Sequence, residues 1–264
     1  EILEQIKPDV IFPILHGPYG EDGTVQGLFE IAGIRYVGSG VLASAVAMDK
    51  SFAKPIFAAH GLQVAHGIVL HQRDWNGSIS TGALNFPLFV KPARGGSSRG
   101  TTKVKSAEHL AAAIDEAFSF DTKVMIEEAI IGREIECAVL EIDGVATASP
   151  LGEIKIDSRF EFYDFEAKYL DGSTTVLSPT DLPTDEIQAA AVKAFQALGC
   201  EGLARVDFFY SHVNGLVINE INTMPGFTST SVFPKLWSQA GTNYKKLIST
   251  LIESALSRSS SVTR

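Results

Sequence analysis

The 264-residue chain is 45% hydrophobic and 20% charged, a composition that supports buried cores and argues against disorder. Its net charge of −9 and pI near 5.2 disfavour a general binder of nucleic acid or of anionic membranes, although local basic pockets for phosphate are compatible with them. No apolar run approaches the length needed to cross a membrane, and the opening EILEQIKPDV has no signal-peptide pattern.

The length is comfortable for two or three domains that share interfaces. The two cysteines, Cys137 and Cys200, have no metal-site spacing. We therefore expect free structural thiols in a reducing cytosol rather than a disulfide, and a cytoplasmic protein.

The first part of the chain has an incomplete βα pattern. Residues 1–7 are typical of a helix end, and residues 10–15 predict a buried strand. The loop after it, HGPYGEDG, places His16 and Glu21 at the carboxyl end of that strand, where open α/β sheets bind ligands. A Gly/Pro turn with incidental charges is the alternative. Helices are predicted for residues 24–33 and from Val41 onwards, with a short strand between them.

A glycine-rich loop marks the second part of the chain. After a helix that ends near Gly61, the run FPLFVKP predicts a short strand ending at Lys91, and ARGGSSRG follows with the hydroxyl of Ser97. Backbone amides in such a loop can bind phosphate oxygens, and a strand-borne lysine adds a point charge. The Walker pattern is absent, and a glycine-rich hairpin without a ligand is the alternative. One strand is expected to end at Glu127 and the next to begin at Glu134. Carboxylates at such positions often bind an amino or hydroxyl group of a ligand, and simple solvation is the alternative.

The third part begins with a predicted hairpin around Asp143-Gly144, a favoured two-residue turn. The connection from residue 155 to residue 183 is poor in predicted structure but rich in aromatic residues. Long loops in compact domains are usually functional or disordered, and the aromatic content argues against disorder. We therefore expect a lid that folds over a bound ligand.

A second hairpin is predicted for GLARVDFFYSHVNGLVINEIN, residues 202–222, because two β-rich runs flank Asn214-Gly215. A two-residue turn there would place Asp207 directly opposite Asn222. Directly opposed side chains share a face of the sheet.

Four polar side chains are expected together on that face. Because strand side chains alternate, Arg205 and Glu220 join Asp207 and Asn222 in an otherwise apolar hairpin. Two carboxylates and an amide oxygen are ligands that Mg²⁺ prefers, with water and phosphate at the remaining positions. The arginine cannot be a ligand and is free to stabilise negative charge. A solvated edge hairpin is the alternative.

The hairpin continues into NTMPGFTSTSV, a loop rich in Gly, Ser and Thr. Its amides and hydroxyls could bind a carboxylate or form an oxyanion hole. A Pro-Gly turn before the terminal helices is the alternative.

Six motifs, in this order, resemble those of the D-alanine:D-alanine ligases of the ATP-grasp superfamily, with features of the actinobacterial enzymes. They are HGPYGEDGTVQG, MDK, FVKPARGGSSRG, YDFEAKYLDG, GLARVDFF and NEINTMPGFTSTS. The resemblance covers essentially the whole chain. It implies an α/β fold of the α+β ATP-grasp type, with a residual amino-terminal domain (1–46), a central subdomain (47–127) and a carboxy-terminal subdomain (128–264). It also implies ATP-dependent formation of D-alanyl-D-alanine for peptidoglycan through an acyl phosphate.

The resemblance also implies a nucleotide site. Lys50, Lys91 and Lys168 would contact the phosphates or the adenine of ATP. Glu127 and Glu134 would meet the adenine and the ribose.

For the metal and the reacting groups, the resemblance implies that Asp207, Glu220 and Asn222 hold two Mg²⁺ or Mn²⁺ ions. Arg205 and the backbone amide of Gly226 would stabilise the acyl phosphate and the tetrahedral intermediate.

The remaining site residues follow from the same resemblance. Ser97 and Tyr169 would orient the lid and the second substrate, and Ser231 would bind the carboxylate of that substrate, with His16 and Glu21 close by. Relatives that make D-alanyl-D-lactate replace the tyrosine, so Tyr169 favours an amine as second substrate. A homodimer is also expected from the family.

Two features depart from the family pattern. The family's amino-terminal G-G-x-S-x-E segment, which supplies a glutamate for the first D-alanine, has no counterpart, so the chain resembles a ligase that lacks the front of its first domain. Arg99 adds a charge where relatives commonly have a small apolar residue. Another carboxylate-amine ligase of the superfamily and an inactive nucleotide-binding protein are the alternative functions.

Overall fold

The computed structural model describes residues 6–96, 98–155, 175–179 and 181–258, which form helices around two antiparallel sheets. The helices are α1 (Thr24–Ile31), α2 (Val41–Met48), α3 (Lys50–Ala59), α4 (Leu110–Phe118), α5 (Thr184–Ala197), α6 (Val232–Gln239) and α7 (Tyr244–Ser257). The strands are β1 (Gly67–His71), β2 (Leu88–Pro92), β3 (Thr102–Val104), β4 (Lys123–Glu128), β5 (Arg133–Ile142), β6 (Val145–Lys155), β7 (Thr175–Leu177), β8 (Leu203–Ser211) and β9 (Gly215–Asn222). None of the described helices is long and apolar enough to cross a membrane.

The first sheet has four antiparallel strands in the order β1-β4-β2-β3, and α4 covers one of its faces. The helix buries apolar residues at helical spacing: Leu110, Ala113, Ile114 and Ala117. They pack on Leu88 and Val90 of β2 and on Val124 and Ile126 of β4. This cluster holds the glycine-rich loop between β2 and β3 at one end of the sheet.

The second sheet has five antiparallel strands in the order β7-β6-β5-β8-β9, and helices cover both of its faces. Cys137 and Val139 of β5 face α2, α3 and α5, whereas Ala138 and Leu140 face α6 and α7. A sheet that is buried on both sides needs nearly continuous apolar strands, as β5 and β8 have. Cys137 and Cys200 are free thiols in the first of these layers, and burial raises the pKa of each to about 12.

Helix α3 joins the two sheets. Its N-cap, Asp49, accepts a hydrogen bond from the backbone N–H of Ser51 at 3.1 Å and from the ammonium of Lys123 on β4 at 2.5 Å. The apolar side of the helix, with Ala53 and Phe57, packs in the core of the five-stranded sheet. The polar side of α3 is therefore held facing the space between the sheets.

The predicted turn of the β8–β9 hairpin is wrong. Ser211 pairs with Gly215, so three residues connect the strands, and Gly215 at φ +68° supplies the left-handed position of such a loop. This turn, together with a register shift between Phe208 and Asp207, places Asp207 opposite Glu220 rather than opposite Asn222 as predicted.

A bulge in β9 preserves the predicted shared face. Phe208 pairs with Ile218 and Asp207 with Glu220, which leaves Asn219 as an extra residue. Without it, the alternation would turn Glu220 towards the core. The hairpin around Asp143-Gly144 is confirmed, because Ile142 pairs with Val145.

Two other predictions need correction. The buried strand predicted for residues 10–15 is wrong: Ile11 makes one parallel bridge with Tyr36, and Ile14 and Leu15 are 47% and 51% exposed. The chain turns there, because the N–H groups of Ile14 and Leu15 bond to carbonyls two residues earlier. The predicted lid, residues 155–183, lies mostly outside the described residues, but β7 pairs with β6 and so adds regular structure to that connection.

Gly132 offers a test of how closely β5 and β8 must approach. A Cβ on Gly132 would lie 2.8 Å from the backbone oxygen of Tyr210, which cannot move without disturbing the sheet. We expect Gly132→Ala to lower the free energy of unfolding by about 1–3 kcal/mol, as overpacking does. Urea unfolding followed by circular dichroism measures it.

Gly27 of α1 is the matched control, because a Cβ there meets nothing within 4 Å. Gly27→Ala should leave stability unchanged or raise it by up to about 1 kcal/mol, since alanine is the better helix former. Equal effects of the two substitutions would contradict the close approach at Gly132.

Candidate functional site

A cavity of about 330 Å³ lies between the two sheets. Strands β2 and β4 contribute to one wall, and β8 and β9 contribute to the other. The charged residues that line it are Lys50, Lys54, Lys91, Arg99, Lys103, Glu127, Glu128, Glu134 and Glu220. Five cations against four carboxylates make the cavity slightly basic in a chain with a net charge of −9, which favours an anionic ligand.

Glu127 is the most buried carboxylate of the cavity, at 3% exposure. Its Oε2 contacts the ammonium of Lys91 at 2.6 Å, and its Oε1 contacts the ammonium of Lys54. Burial disfavours the charge on Glu127, but the two lysines outweigh that effect and lower its pKa to about 2. Burial lowers the pKa of Lys54 to about 8, although Glu127 opposes this shift.

Lys50 connects the glycine-rich loop to the second sheet. Its ammonium donates to the backbone oxygen of Gly95 at 2.8 Å and lies 3.0 Å from Oε2 of Glu220 on β9. The backbone N–H of Lys50 bonds to the oxygen of Ala93, which fixes the first turn of α3 against the end of β2. Five residues that were predicted from the sequence therefore line one cavity: Lys50, Lys91, Glu127, Glu134 and Glu220.

The polar face predicted for the β8–β9 hairpin is confirmed. Arg205 donates from Nε and Nη2 to the two carboxylate oxygens of Asp207, both at 2.7 Å, and its Nε lies 3.4 Å from Oε1 of Glu136. Asn222 donates from Nδ2 to Asp207 at 3.0 Å. Desolvation opposes the charge on Arg205, but Asp207 and Glu136 outweigh it and keep its pKa well above the usual value.

The polar face of the β8–β9 hairpin fits a divalent cation whose remaining ligands are water and phosphate. Within the described parts of the chain, no three His, Cys, Asp or Glu side chains are grouped so as to hold a metal by themselves. Asp207, Glu220 and the amide oxygen of Asn222 supply hard oxygen donors on neighbouring strands, where Mg²⁺ needs only a few protein ligands beside water and phosphate. Both carboxylates already contact cations, Arg205 and Lys50, so the face accommodates positive charge.

The first loop, HGPYGEDG, lies beside this face. His16 forms a hydrogen bond through Nδ1 with the backbone oxygen of Met224 at 3.0 Å, and Glu21 accepts from the N–H of Gly17 at 2.5 Å. Burial raises the pKa of Glu21, although the hydrogen bond from the N–H of Gly17 and the charges of His16 and Arg205 oppose the shift. Glu21 therefore interacts with both His16 and Arg205.

Gly226 and Ser231 also lie together, in the loop between β9 and α6. A Cβ on Gly226 would lie 3.0 Å from the hydroxyl of Ser231, so a side chain there would displace that hydroxyl by a few tenths of an ångström. The hydroxyl of Ser231 accepts from the N–H of Thr228 at 3.1 Å, and Ser231 precedes the first turn of α6. Among the predicted residues, Ser97, Lys168 and Tyr169 lie outside the described part of the chain.

Several charged residues of the site were missed from the sequence, among them Lys54 and Glu136. Lys54 lies four positions after Lys50 on α3, and this helical spacing was the available signal. Glu136 pairs with Asp207 across β5 and β8, but only the strand register reveals it.

Comparisons with known proteins show the family of this chain. The D-ala D-ala ligase C-terminus family matches residues 56–253, and the D-ala D-ala ligase N-terminus family matches residues 2–39. A D-alanine–D-alanine ligase of Streptomyces griseus is 49% identical over 262 residues, which are 95% of this chain and 67% of the relative. One of Mycobacterium bovis is 51% identical over 267 residues, with 98% and 71% covered.

Solved structures give the same result. The VanG D-Ala:D-Ser ligase of Enterococcus faecalis superposes with a TM-score of 0.81 at 40% identity, covering 93% of this chain and 72% of that one. The D-alanine–D-alanine ligase of Bacillus anthracis complexed with ATP gives 0.82 at 31% identity, with 97% and 81% covered. Both family halves match in order, and the relatives align over nearly the whole chain. The chain therefore belongs to the D-alanine–D-alanine ligase family and has its ATP-grasp fold.

Proposed function

We propose that this protein uses ATP to join two D-alanines into D-alanyl-D-alanine, a building block of peptidoglycan. One observation carries the proposal: Glu220 belongs both to the lysine-lined cavity and to the face that presents Arg205, Asp207 and Asn222. A nucleotide in the cavity would therefore direct its phosphates at a face suited to a metal and to developing negative charge. The family relatives, one of them solved with ATP, support the same substrates.

The nucleotide would lie between the sheets. Lys50 and Lys91 would contact its phosphates, because their ammonium groups line the cavity, and the glycine-rich loop would close over them. Glu134, also on the cavity wall, would meet the ribose or the adenine. The predicted contacts of Glu127, Ser97 and Lys168 with the nucleotide or the lid stay predictions.

Arg205 would act on the reacting groups. A carboxylate oxygen of the first D-alanine attacks the γ-phosphorus of ATP, the bond to ADP breaks, and an acyl phosphate forms. The amine of the second D-alanine then attacks the carbonyl carbon and expels phosphate. Both steps concentrate negative charge, which a guanidinium and the backbone amide of Gly226 would stabilise. Arg205 is protonated at any working pH, as guanidinium groups are, and Asp207 and Glu136 raise its pKa further.

The substrates would be held by the loops around the cluster. Ser231, beside Gly226, would bind the carboxylate of the second D-alanine, and Tyr169 would favour its amine. His16 and Glu21 would position the first loop against the same face.

Two Mg²⁺ or Mn²⁺ ions held by Asp207, Glu220 and Asn222 would neutralise charge on the phosphates.

We also propose domain boundaries after residues 46 and 127, a homodimer and a cytoplasmic location. The family resemblance supports all three.

A second candidate is a D-alanine ligase with another acceptor, because a D-Ala:D-Ser ligase is 40% identical to this chain. Phosphate release from ATP with D-alanine alone, and with D-alanine plus D-serine, separates the two when the dipeptides are identified by mass. We expect D-alanyl-D-alanine in both reactions. Preferential formation of D-alanyl-D-serine would favour the second candidate, and ATP binding without any dipeptide would contradict both.

Replacement of Arg205 tests the catalytic assignment. We expect Arg205→Met to reduce kcat by about 100- to 1000-fold, the usual cost of removing a group that stabilises transition-state charge. Arg205→Lys should retain more activity, because it keeps a cation against Asp207. Steady-state kinetics and thermal melting, measured on the same samples, separate catalysis from folding.

Arg133 provides the control, since it is an arginine on the same sheet whose guanidinium binds Glu153 and Asp181. Arg133→Met should leave kcat unchanged at temperatures where the variant is folded. Similar losses for both variants would mean that Arg205 acts only in folding.

Replacement of Glu220 tests the metal assignment. We expect Glu220→Gln to weaken Mn²⁺ binding in the presence of ADP by about ten- to a hundredfold, the loss that changes around metal ligands commonly cause. Electron paramagnetic resonance of free Mn²⁺ measures this without turnover. Glu253→Gln, on the exposed side of α7, is the control, and equal Mn²⁺ affinity of both variants would remove Glu220 from the metal site.

A further inference from the structure

We propose that Lys54 is a positioning residue of the nucleotide site, which keeps the buried Glu127 neutralised so that Lys91 is free to turn from Glu127 to the phosphates of a bound nucleotide. The inference deepens the proposed function and rests on its nucleotide site. In this arrangement Lys54 contributes indirectly to nucleotide binding, and Glu127 is the buried counter-ion of Lys54 and Lys91.

Glu127 lies between two lysines, one from β2 and one from α3. Phe89 of β2 lies opposite Glu127 of β4, so Lys91, two residues further along β2, is its diagonal neighbour on the same face. Lys54 reaches the other carboxylate oxygen from α3. The side chain of Lys54 is 6% exposed and that of Lys91 is 13% exposed, and both line the cavity.

Two lysines on one carboxylate solve an electrostatic problem. An unpaired charge in a buried position is strongly unfavourable, so a carboxylate with a single lysine would hold that lysine in place. With Lys54 as a permanent partner, Glu127 stays neutralised when the ammonium of Lys91 moves to a phosphate. Lys91 can then bind nucleotide without leaving a buried charge alone.

The surroundings of Lys54 make its charge sensitive to pH. Glu127 on β4 favours the charged form, while burial, Lys91 on β2 and Lys50 on α3 oppose it. Glu220 on β9 faces Lys50, and α2 and α5 meet α3 through apolar residues. The pKa of Lys54 is lowered to about 8, so Lys54 loses its charge as the pH rises through that value. Above it, Lys91 becomes the sole cation on Glu127, and nucleotide affinity falls.

Calorimetric titration of the whole chain with ADP in Mg²⁺ buffer tests the proposal without requiring ligation. At pH 7.5 we expect Lys54→Met to weaken ADP binding by about ten- to a hundredfold, the range for losing a contact to a charged group. Lys54→Arg, which keeps the cation, should restore most of the affinity. Lys193→Met, on the exposed side of α5, is the control and should bind as the wild type does.

The double variant Lys54→Met/Glu127→Gln distinguishes positioning from folding. With the buried carboxylate removed, Lys91 is released, so the double variant should bind ADP more tightly than Lys54→Met alone. If Glu127 instead contacts the nucleotide, the second substitution weakens binding further and overturns the proposal. Wild-type affinity should also fall between pH 7.5 and 9.5, and that of Lys54→Arg should not.

Thermal melting of each variant shows which samples are folded. Lys54→Met that is folded and binds ADP as tightly as the wild type overturns this inference, but leaves the proposed function intact. A wild-type chain that binds no ADP overturns the proposed nucleotide site, and this inference with it.

Discussion

Charged groups packed between two sheets are the constraint on which this structure depends. A buried charge is tolerated only beside an opposite one, so each buried group fixes the position of its partner. Helix α3 is the clearest case: its N-cap Asp49 pairs with Lys123 of the first sheet, and its Lys50 pairs with Glu220 of the second. The apolar side of α3 adds Phe57 to the core of the second sheet. Helix α3 therefore fixes the spacing between the two sheets, and with it the width of the cavity that a ligand would occupy.

The same constraint explains why the cavity holds so many charges of both signs. Lysines alone would repel one another at such short distances, and carboxylates alone would repel phosphate. Pairing Glu127 with lysines, and Asp207 with Arg205, keeps the cations close together at tolerable cost. A bound polyanion would then meet charged groups that are already in place, and such electrostatic preorganisation assists phosphoryl transfer.

The β8–β9 hairpin shows that a shared polar face can be predicted correctly from a register that is wrong. The dipeptide Asn214-Gly215 suggested a two-residue turn, but the chain forms a three-residue loop with Gly215 in the left-handed region. That change alone would move Glu220 to the opposite face of β9. The bulge at Asn219 moves it back, so the polar face survives. The alternation of polar and apolar residues was thus a stronger signal than the turn, because burying a carboxylate in the core costs more than inserting a bulge.

The sequence by itself determined the helices α1 to α3, the glycine-rich loop after Lys91, the hairpin at Asp143-Gly144 and the shared face of Arg205 and Asp207. These follow from periodicity, turn chemistry and the steric needs of glycine, which act over a few residues. The ordered motifs also determined the family.

Only the tertiary structure decided which distant charges meet. Glu127 and Lys54 are 73 positions apart, and His16 and Met224 are 208 apart, so no local pattern contains either contact. The loss of the predicted strand at residues 10–15 has the same origin, because a strand needs a partner, and only Ile11 pairs, in its bridge to Tyr36. Local chemistry fixes what a segment prefers, whereas the pairing of buried charges and strands depends on the rest of the chain packed around them.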